Sequence, residues 1–510
     1  MGFDIRRVVL AGQYCSEWQT EMLVICHVNL YSLGYRKLRA DFGNQVSGGI
    51  NMNRREAIRS FSLVGGASLF ASTPSLAGGF APKADGRYAQ AVKGTPPVKI
   101  RGIKTILTAP NRIRLVIVKV ETTEAGLVGW GCATFTQRAL VVQTALDQYL
   151  KPFLIGRNVD EIEDIWQSSY VSSYWRNGPV LFNAMSGVDI ALWDIKAKRA
   201  GMPLYQLLGG KVRHGADCYF HASGSSFSEV EENARRAMEQ GFRHVRVQVA
   251  TPGYAGYGAA RSSTPASGSQ NEVVGPTSPR DIWEPAPYTR IVPKLFEYLR
   301  AKLGDDVELL HDVHERVTLN QAINLCKSLE PYRLFFLEDP LPPEDNDHFR
   351  LLRQQTSTPL AMGELFNTQH EYVPLIKDRL IDFIRIHISQ IGGLSPARKV
   401  AALSEFFGVR TAWHGPGDAS PIAHATQLAL ELASYNFGIH EGSGFPNETQ
   451  EVFVGCPEVK NGYMVAQEKP GHGIEVNEEL AAKFPIPAGP PNFDYSWGTT
   501  RRHDGTVIRP

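Results

Sequence analysis

The chain has 510 residues and a near-balanced charge, with 53 basic and 52 acidic side chains, and 43% of its residues are hydrophobic. This length is greater than that of a domain with a single hydrophobic core, so a barrel of about 250 residues with one or two smaller units is expected. The charge balance excludes the basic footprint of a protein that binds nucleic acid or an anionic membrane, so the expected partner is a small polar molecule. The six cysteines lie far apart, which argues against a disulfide framework or a zinc site, and they are interpreted as packing residues.

Residues 52–77 read MNRREAIRSFSLVGGASLFASTPSLA and have the layout of an export signal. The paired Arg54 and Arg55 precede a short apolar stretch, and small residues precede Ala77, which indicates the twin-arginine route. The apolar stretch is too short to span a bilayer, so no membrane attachment is expected after processing. Residues 1–51 are interpreted as a disordered upstream extension. The expected location is the periplasm or another exported compartment, and the alternative is a cytoplasmic protein with a disordered tail.

From Val98 the segments VKIRGIKTILT and RIRLVIVKVETTEAGLVGWG alternate β-branched and polar residues, with a turn at Glu124-Ala125-Gly126, and this predicts a meander or hairpin. In Ala184–Ala197, apolar residues recur at helical spacing, while Asp189 and Asp194 are expected elsewhere on the helix surface. Together these patterns predict an α+β capping domain over residues 98–215.

Eight short apolar strands then alternate with amphipathic helices: CYFHAS, HVRVQV, VELLHDVH, LFFLEDP, PLAMGEL, FIRIHIS, VRTAWHG and NFGIHEG. This alternation predicts an α/β fold, a modified (β/α)8 barrel of the TIM type over residues 216–442. Residues 443–510 are predicted to return toward the cap. The connection from Ala250 to about Pro287 is rich in Gly, Ser, Thr and Pro, and a loop of that length is usually a functional lid or disordered.

Three carboxylates stand at the ends of predicted neighbouring strands: Asp312, Glu338 and Glu364, separated by 26 residues in each case. Active sites of this fold lie at that rim. Because three crowded carboxylates repel one another unless a cation lies among them, and because hard oxygen ligands suit Mg²⁺, a magnesium site is predicted. His314 is two residues after Asp312, so strand alternation is expected to point both side chains to one face, where His314 would do acid/base work. A lone histidine at a strand end is more often structural, and that reading is the alternative.

The run from Ala184 to Gly210, AMSGVDIALWDIKAKRAGMPLYQLLGG, resembles the capping-domain signature of the enolase superfamily. The series VRVQ, LLHDVHER, LFFLEDP, GELFNT, IDFIRI and WHGPGD is similar to the mannonate dehydratase branch, and the resemblance extends from about Val98 to the C-terminus. Other branches carry a lysine pair at the end of the second barrel strand. This chain has Arg246 and Gln248 there, which removes the lysine base used elsewhere.

The resemblance implies a hydro-lyase that converts an acid sugar of the D-mannonate or D-gluconate type into a 2-keto-3-deoxy acid through an enediolate. It implies Tyr257 paired with Arg246 as general base, with Tyr254 as a competing candidate, because a guanidinium lowers the pKa of a neighbouring tyrosine. His314 would be the general acid. The implied Mg²⁺ ligands are Asp312, Glu338 and Glu364, and the implied substrate contacts are His221, Arg385, His414, Asp418 and Glu441.

Two departures bear on the substrate. Thr136 stands where the branch usually has an asparagine that contacts the sugar, and the C-terminal DGTVIRP lacks the tryptophans that often end related chains. The alternatives are an epimerase or another aldonate dehydratase of the same superfamily, and a sugar-acid-binding or regulatory protein with little turnover. The resemblance also implies a homo-oligomer.

Overall fold

The computed structural model describes residues 97–251, 283–415, 419–487 and 502–509. The predicted extension and export signal lie outside these ranges, as do most of the predicted lid, Tyr254, Tyr257 and Asp418. In the described ranges, no helix is both long enough and apolar enough to cross a membrane. The four cysteines there, Cys132, Cys218, Cys326 and Cys456, are buried and unpaired with one another, as expected of packing residues.

The cap begins with a three-stranded antiparallel sheet in the order β1-β2-β3, so the predicted meander is confirmed. Its strands are β1 (Ile100–Thr108), β2 (Leu115–Thr122) and β3 (Val128–Cys132). The predicted turn lies between β2 and β3, where Gly126 has a φ of 78°. Positive φ is the region that glycine enters without a steric cost.

Helices follow, and the longest of them lies against β3. They are α1 (Ala139–Thr144), α2 (Lys151–Leu154), α3 (Ile162–Val171), α4 (Pro179–Arg199) and α5 (Leu204–Leu207), with a π turn at Ala145–Leu150 and a 3-10 turn at Thr136–Arg138. Another 3-10 turn, Pro110–Arg112, lies between β1 and β2. A Cβ on Gly131 would lie 1.9 Å from the carbonyl O of Gly187, and one on Gly129 would lie 2.1 Å from that of Ala191. These two glycines therefore let β3 approach the backbone of α4.

Asp189 and Asp194, which were expected elsewhere on the helix surface than its apolar residues, are both buried. Asp189 accepts hydrogen bonds from the N–H and the hydroxyl of Ser395, at 2.9 and 2.5 Å. Asp194 accepts from the N–H groups of Trp130 and His472, both at 3.1 Å. A helical pattern cannot reveal such partners, which come from other parts of the chain.

Eight parallel strands follow, as predicted, and β11 pairs with β4 while the others pair in sequence from β4 to β10. A parallel bridge between Thr411 and Phe437 connects β10 to the segment leading into β11, as a barrel requires. The strands are β4 (Ala216–Gly224), β5 (His244–Val249), β6 (Glu308–Asp312), β7 (Phe336–Glu338), β8 (Leu360–Met362), β9 (Phe383–Ile384), β10 (Arg410–Thr411) and β11 (His440–Glu441).

Seven of these strands or strand ends contribute to one packed interior cluster: Tyr219, Leu310, Phe336, Ala361, Phe383, Ala412 and Ile439. The surrounding helices are α6 (Phe227–Glu239), α7 (Pro285–Leu303), α8 (Leu319–Leu329), α9 (Phe349–Arg353), α10 (Gln369–Lys377), α11 (Leu394–Phe406) and α12 (Pro421–Ala433), with 3-10 turns at Glu330–Tyr332 and Pro343–His348. The filled interior means that chemistry is confined to the rim.

After the barrel the chain forms α13 (Asn447–Val452), β12 (Phe453–Val454), β13 (Glu458–Lys460), β14 (Tyr463–Val465), β15 (Glu475–Val476) and α14 (Glu478–Ala481). It returns to the cap: the Glu478 carboxylate pairs with Lys104 and Lys119, and the Thr108 hydroxyl donates to the carbonyl O of Ala481 at 2.9 Å. The domain boundaries themselves stay predictions.

Candidate active site

The three predicted carboxylates lie at one rim. Asp312 ends β6 and Glu338 ends β7, the two residues are register partners, and both are buried. Glu364 follows β8 by two residues and is partly exposed. Parallel strands end at the same edge, which is why residues one βα unit apart meet there.

Arg385 lies between two of the acidic residues of this rim and is fully buried. Its Nη2 lies 2.6 Å from Oε1 of Glu338 and 2.8 Å from Oε2 of Glu441. Its Nη1 donates a hydrogen bond to the hydroxyl of Tyr219 at 2.8 Å. Arg385 therefore orients two site carboxylates, in addition to any contact with substrate.

Arg246 lies on β5 and faces the same group of carboxylates. Its Nη1 lies 3.2 Å from Oδ2 of Asp312 and 3.5 Å from Oε1 of Glu441. Its Nη2 lies 3.1 Å from Nδ1 of His221. The predicted pairing of Arg246 with Tyr257 stays a prediction, because Tyr257 is outside the described residues.

Glu364 contacts two predicted site histidines. Its Oε1 lies 3.5 Å from Nε2 of His314, and its Oε2 lies 3.2 Å from Nε2 of His414. Burial alone would raise the pKa of Glu364, but the charges of His414 and His314 hold it well below its ordinary value. Burial would likewise lower the pKa of each histidine, but the nearby carboxylates, Glu364 above all, raise it. His314 is therefore favoured in its protonated form, the form that a general acid needs.

The expected reason for the orientation of His314 is wrong. The strand ends at Asp312, and His314 and Glu315 have φ values of 55° and 63° in a turn, so strand alternation does not apply. Its N–H donates to Oδ1 of Asp312 at 2.8 Å. Non-glycine residues in the left-handed region cost about 1–3 kcal/mol each, and such strain is found where surrounding structure fixes a functional side chain.

Glu441 and His221 are side by side, as expected of two contacts to one small ligand. His221 Nε2 lies 2.9 Å from Oε1 of Glu441, and Oε2 of Glu441 accepts from the N–H of Gly415 at 3.1 Å. Burial and the charge of Arg246 lower the pKa of His221, against the opposing effect of Glu441. His221 is thus favoured as a neutral ring, with Nδ1 facing Arg246 and Nε2 facing Glu441.

Glu338 fits a role as a metal ligand. Both of its carboxylate oxygens are buried, and apart from the ion pairs of Oε1 with Arg385 and Arg246, at 2.6 and 3.8 Å, neither has a hydrogen-bond partner among the described residues. Burial raises its pKa well above the ordinary value, although the charge of Arg385 opposes the shift. An ionised carboxylate in this position needs more positive charge than the neighbouring arginines supply, and a divalent cation with oxygen ligands would supply it.

The carboxylate grouping differs in one member from the predicted set. Oxygens of Glu338, Asp339 and Glu364 lie within 4.8 Å of one another. Asp312 instead points its two oxygens at the N–H of His314 and at Arg246. Asp339 also accepts from the N–H of Gly363 at 3.1 Å, so it has a backbone partner of its own. The assignment of Asp312 as a ligand stays a prediction.

Besides Asp339, two residues of the site were missed from the sequence. Tyr219 supports Arg385, and its position two residues before His221 on the same strand was a signal, since such residues share a face. Gln248 was noted only as a missing lysine, but its Nε2 donates to the backbone O of Asp312 at 3.1 Å and so fixes that strand end.

Two family models match the sequence of this chain. The mandelate racemase / muconate lactonizing enzyme N-terminal domain matches residues 89–209, and the enolase C-terminal domain-like family matches residues 229–480. A D-galactonate dehydratase family member from Pantoea ananatis is 53% identical over 416 residues, covering 81% of this chain and 99% of that protein. Another from Musicola paradisiaca is 52% identical over 418 residues, with the same coverage of 81% and 99%.

Solved structures of enolase-superfamily proteins are also similar to this chain. The crystal structure of an enolase from Pantoea ananatis with bound D-gluconate and Mg is 51% identical with a TM-score of 0.75, covering 81% of this chain and 100% of that one. A mandelate racemase/muconate lactonizing enzyme-like protein from Roseovarius is 25% identical with a TM-score of 0.64, covering 76% and 96%. The two family models thus match most of the cap and most of the barrel described above.

Proposed function

Because the chain belongs to the enolase superfamily, and within it to the D-galactonate dehydratase family, we propose that it is a Mg²⁺-dependent hydro-lyase that dehydrates an acid sugar. The observation that carries the proposal is the set of carboxylates Asp312, Glu338 and Glu364 at one barrel rim, with a protonatable histidine beside Glu364. This arrangement offers a cation site and a proton donor within one small volume. The reaction gives a 2-keto-3-deoxy acid and water.

The proposed ligands are Asp312, Glu338 and Glu364. A Mg²⁺ ion held there would stabilise the negative charge that develops on the substrate carboxylate when the C2 proton is removed. Arg385 pairs with both Glu338 and Glu441 through one guanidinium nitrogen and so orients the two carboxylates.

In the proposed reaction, Tyr257 accepts the C2 proton and His314 gives a proton to the departing C3 hydroxyl. The turn that carries His314 holds its ring next to Glu364, and Glu364 favours the protonated ring. His221, His414 and Glu441 line the same rim and are proposed to hold sugar hydroxyls, with Arg385 and Asp418. The enol product would then tautomerise to the 2-keto acid.

For the sugar, we propose D-gluconate or D-mannonate. Support comes from the structural relative at 51% identity, which holds D-gluconate and Mg. Gluconate and mannonate differ only at C2, which loses its stereochemistry in the reaction, so both would give one product. D-Galactonate differs from gluconate at C4 and would give a different one.

The test is a screen of purified protein against acid sugars with Mg²⁺, scoring 2-keto-3-deoxy acids and measuring kcat/KM for gluconate, mannonate and galactonate separately. Dehydration of gluconate or mannonate with the highest kcat/KM supports the proposal. If galactonate is the best substrate, the proposed sugar is wrong and the proposed dehydration still holds. C2 epimerisation without loss of water would refute the dehydratase.

A further inference from the structure

We propose that Glu431, His440 and His424 form a buried positioning relay that sets the relative positions of His414 and Glu441. The inference rests on the proposed function, in which those two residues hold the sugar. The reaction uses none of the three relay residues, yet all three are buried beneath the rim. Buried groups of this kind need hydrogen-bond partners, and they find them in one another.

The relay is a continuous chain of short contacts. Nδ1 of His440 lies 2.8 and 2.9 Å from the two carboxylate oxygens of Glu431. Nε2 of His440 lies 3.1 Å from Nδ1 of His424. A carboxylate only accepts, so Nδ1 of His440 carries the proton donated to Glu431. Nε2 of His440 and Nδ1 of His424 then share one hydrogen bond, in which the donor depends on the tautomer.

One face of α12 supplies the helical half of the relay. His424, Gln427 and Glu431 are spaced three and four residues apart, so they share a face of the helix. That face meets the strand ends: Nε2 of Gln427 donates to the backbone O of His414 at 2.7 Å. The helix is therefore fastened to the strand ends by side chains, in addition to apolar packing.

Two members of the relay, His440 and His424, lie next to the backbone of a predicted substrate contact. His440 directly precedes Glu441 on β11. His424 packs on Gly415, directly after His414: a Cβ on Gly415 would lie 2.8 Å from Cε1 of His424. The N–H of Gly415 in turn donates to Oε2 of Glu441 at 3.1 Å. The relay thus fixes two neighbouring strand ends against each other.

The relay needs a hydrogen-bonding group at the position of Nδ1 of His424. Asparagine places its side-chain amide close to that position and can still form a hydrogen bond with His440. Leucine has a similar volume and cannot. The pair His424→Asn and His424→Leu therefore separates the hydrogen bond from packing. Glu431→Gln is a second probe, because its amide oxygen still accepts from His440.

The probe ligand is 3-deoxy-D-gluconate, which has no C3 hydroxyl to lose, and its Kd is measured by calorimetry with Mg²⁺ in the full chain. Loss of one buried hydrogen bond with a partner left unsatisfied corresponds to about tenfold or more. We expect His424→Leu to weaken binding by at least about tenfold and to raise KM similarly, with kcat changed less than about threefold. His424→Asn and Glu431→Gln should stay within about threefold of wild type.

Thr426→Val is the matched control, because Thr426 is a buried residue of the same helix whose hydroxyl donates only to the carbonyl O of Ile422 in its own helix. Equal Kd values for wild type and a folded His424→Leu would overturn the relay. So would an equal loss of binding in His424→Asn and His424→Leu, which indicates packing alone. If His424→Leu does not fold, the other two variants decide. Equal losses of binding of more than tenfold in Glu431→Gln and His424→Asn would overturn the relay. No binding of any acid sugar by the wild type contradicts the proposed function itself.

Discussion

Nη2 of Arg385 lies 2.6 Å from Oε1 of Glu338, and both side chains are fully buried. The same nitrogen lies 2.8 Å from Oε2 of Glu441, so one guanidinium connects a proposed metal ligand with a proposed substrate contact. Tyr219 holds the other side of that guanidinium. A buried charge is stable only when charged or hydrogen-bonding partners surround it. The geometry of the site therefore depends also on Tyr219, which is proposed to touch neither metal nor sugar.

The first prediction concerns Tyr219→Phe, which removes the acceptor for Nη1 of Arg385. An unsatisfied buried donor costs about 1–3 kcal/mol, so we expect Mg²⁺ affinity to fall by roughly tenfold as Glu338 shifts. Isothermal titration with Mg²⁺ measures the effect. The control is Tyr298→Phe, whose hydroxyl donates to Glu231 at 2.7 Å. Unchanged Mg²⁺ binding in Tyr219→Phe would show that Arg385 holds its position without the hydroxyl.

The second prediction concerns the metal. Chelation should abolish dehydration, Mg²⁺ should restore it, and Glu338→Gln should prevent rescue at ordinary Mg²⁺ levels, because one anionic ligand is lost. Glu344→Gln is the control, since Glu344 follows β7 but its side chain is 70% exposed. Full turnover in the presence of excess chelator would refute the metal assignment.

The sequence was sufficient to predict the barrel and the position of its carboxylates. Asp312, Glu338 and Glu364 each interrupt or follow an apolar strand at a constant interval, and parallel strands bring such positions to one edge. These are local patterns, repeated along the chain. The same is true of the cap meander, where the turn residues stand between two alternating strands.

Other features depend on partners distant in sequence. Asp189 is buried because Ser395, 206 residues away, donates to it. His314 is oriented by a left-handed turn and by Glu364, not by strand alternation. Tyr219 acquires its role only through Arg385. A periodicity reports which face of an element is apolar, and it does not report which polar group will meet a buried one.

The third prediction is a pH effect on stability at Asp189. Burial raises the pKa of Asp189 to about 7, although hydrogen bonds from Ser395 oppose the shift. The pKa of this side chain in the unfolded chain is about 4. The protonated carboxyl group therefore stabilises the fold fully below pH ~4, and this stabilisation is lost as the pH rises toward 7. Relative to Asp189→Asn, the free energy of unfolding of wild type should fall by a few kcal/mol over that range.

Chemical denaturation of wild type and Asp189→Asn at several pH values between 4 and 8 measures the difference. Asp164→Asn is the control, because the Asp164 side chain is 68% exposed. A difference between wild type and Asp189→Asn that does not change with pH would mean that Asp189 titrates alike in the folded and unfolded chains.

The fourth prediction concerns export. A chain that starts at Met52 should be exported and cleaved near Ala77, and residues 1–51 should be dispensable. Replacing both Arg54 and Arg55 by lysine should retain the protein in the cytoplasm, because the twin-arginine route reads that pair. Fractionation and N-terminal sequencing provide the measurement. Finding only unprocessed chain in the cytosol of the native host would contradict it.

The fifth prediction separates the base from the acid. In D₂O, Tyr257→Phe should abolish both exchange of the C2 proton and dehydration, because no phenolate remains to start the reaction. His314→Asn should block loss of the C3 hydroxyl while C2 exchange continues slowly, since the base and the carboxylates are retained. Each loss should be about 10²-fold or more, as expected when a positioned acid or base is removed. NMR of the recovered substrate measures exchange, and the keto acid measures dehydration.

The outcome distinguishes three arrangements. Near wild-type turnover in Tyr257→Phe would make Tyr254 the next candidate for the base. Exchange lost equally in His314→Asn would mean that His314 acts before the hydroxyl leaves, through Glu364 and the cation site that it contacts. If variants of both tyrosines stay active while Asp312→Asn is inactive, the carboxylates are needed for a reaction whose base is neither tyrosine, and the proposed removal of the C2 proton by a tyrosine is wrong.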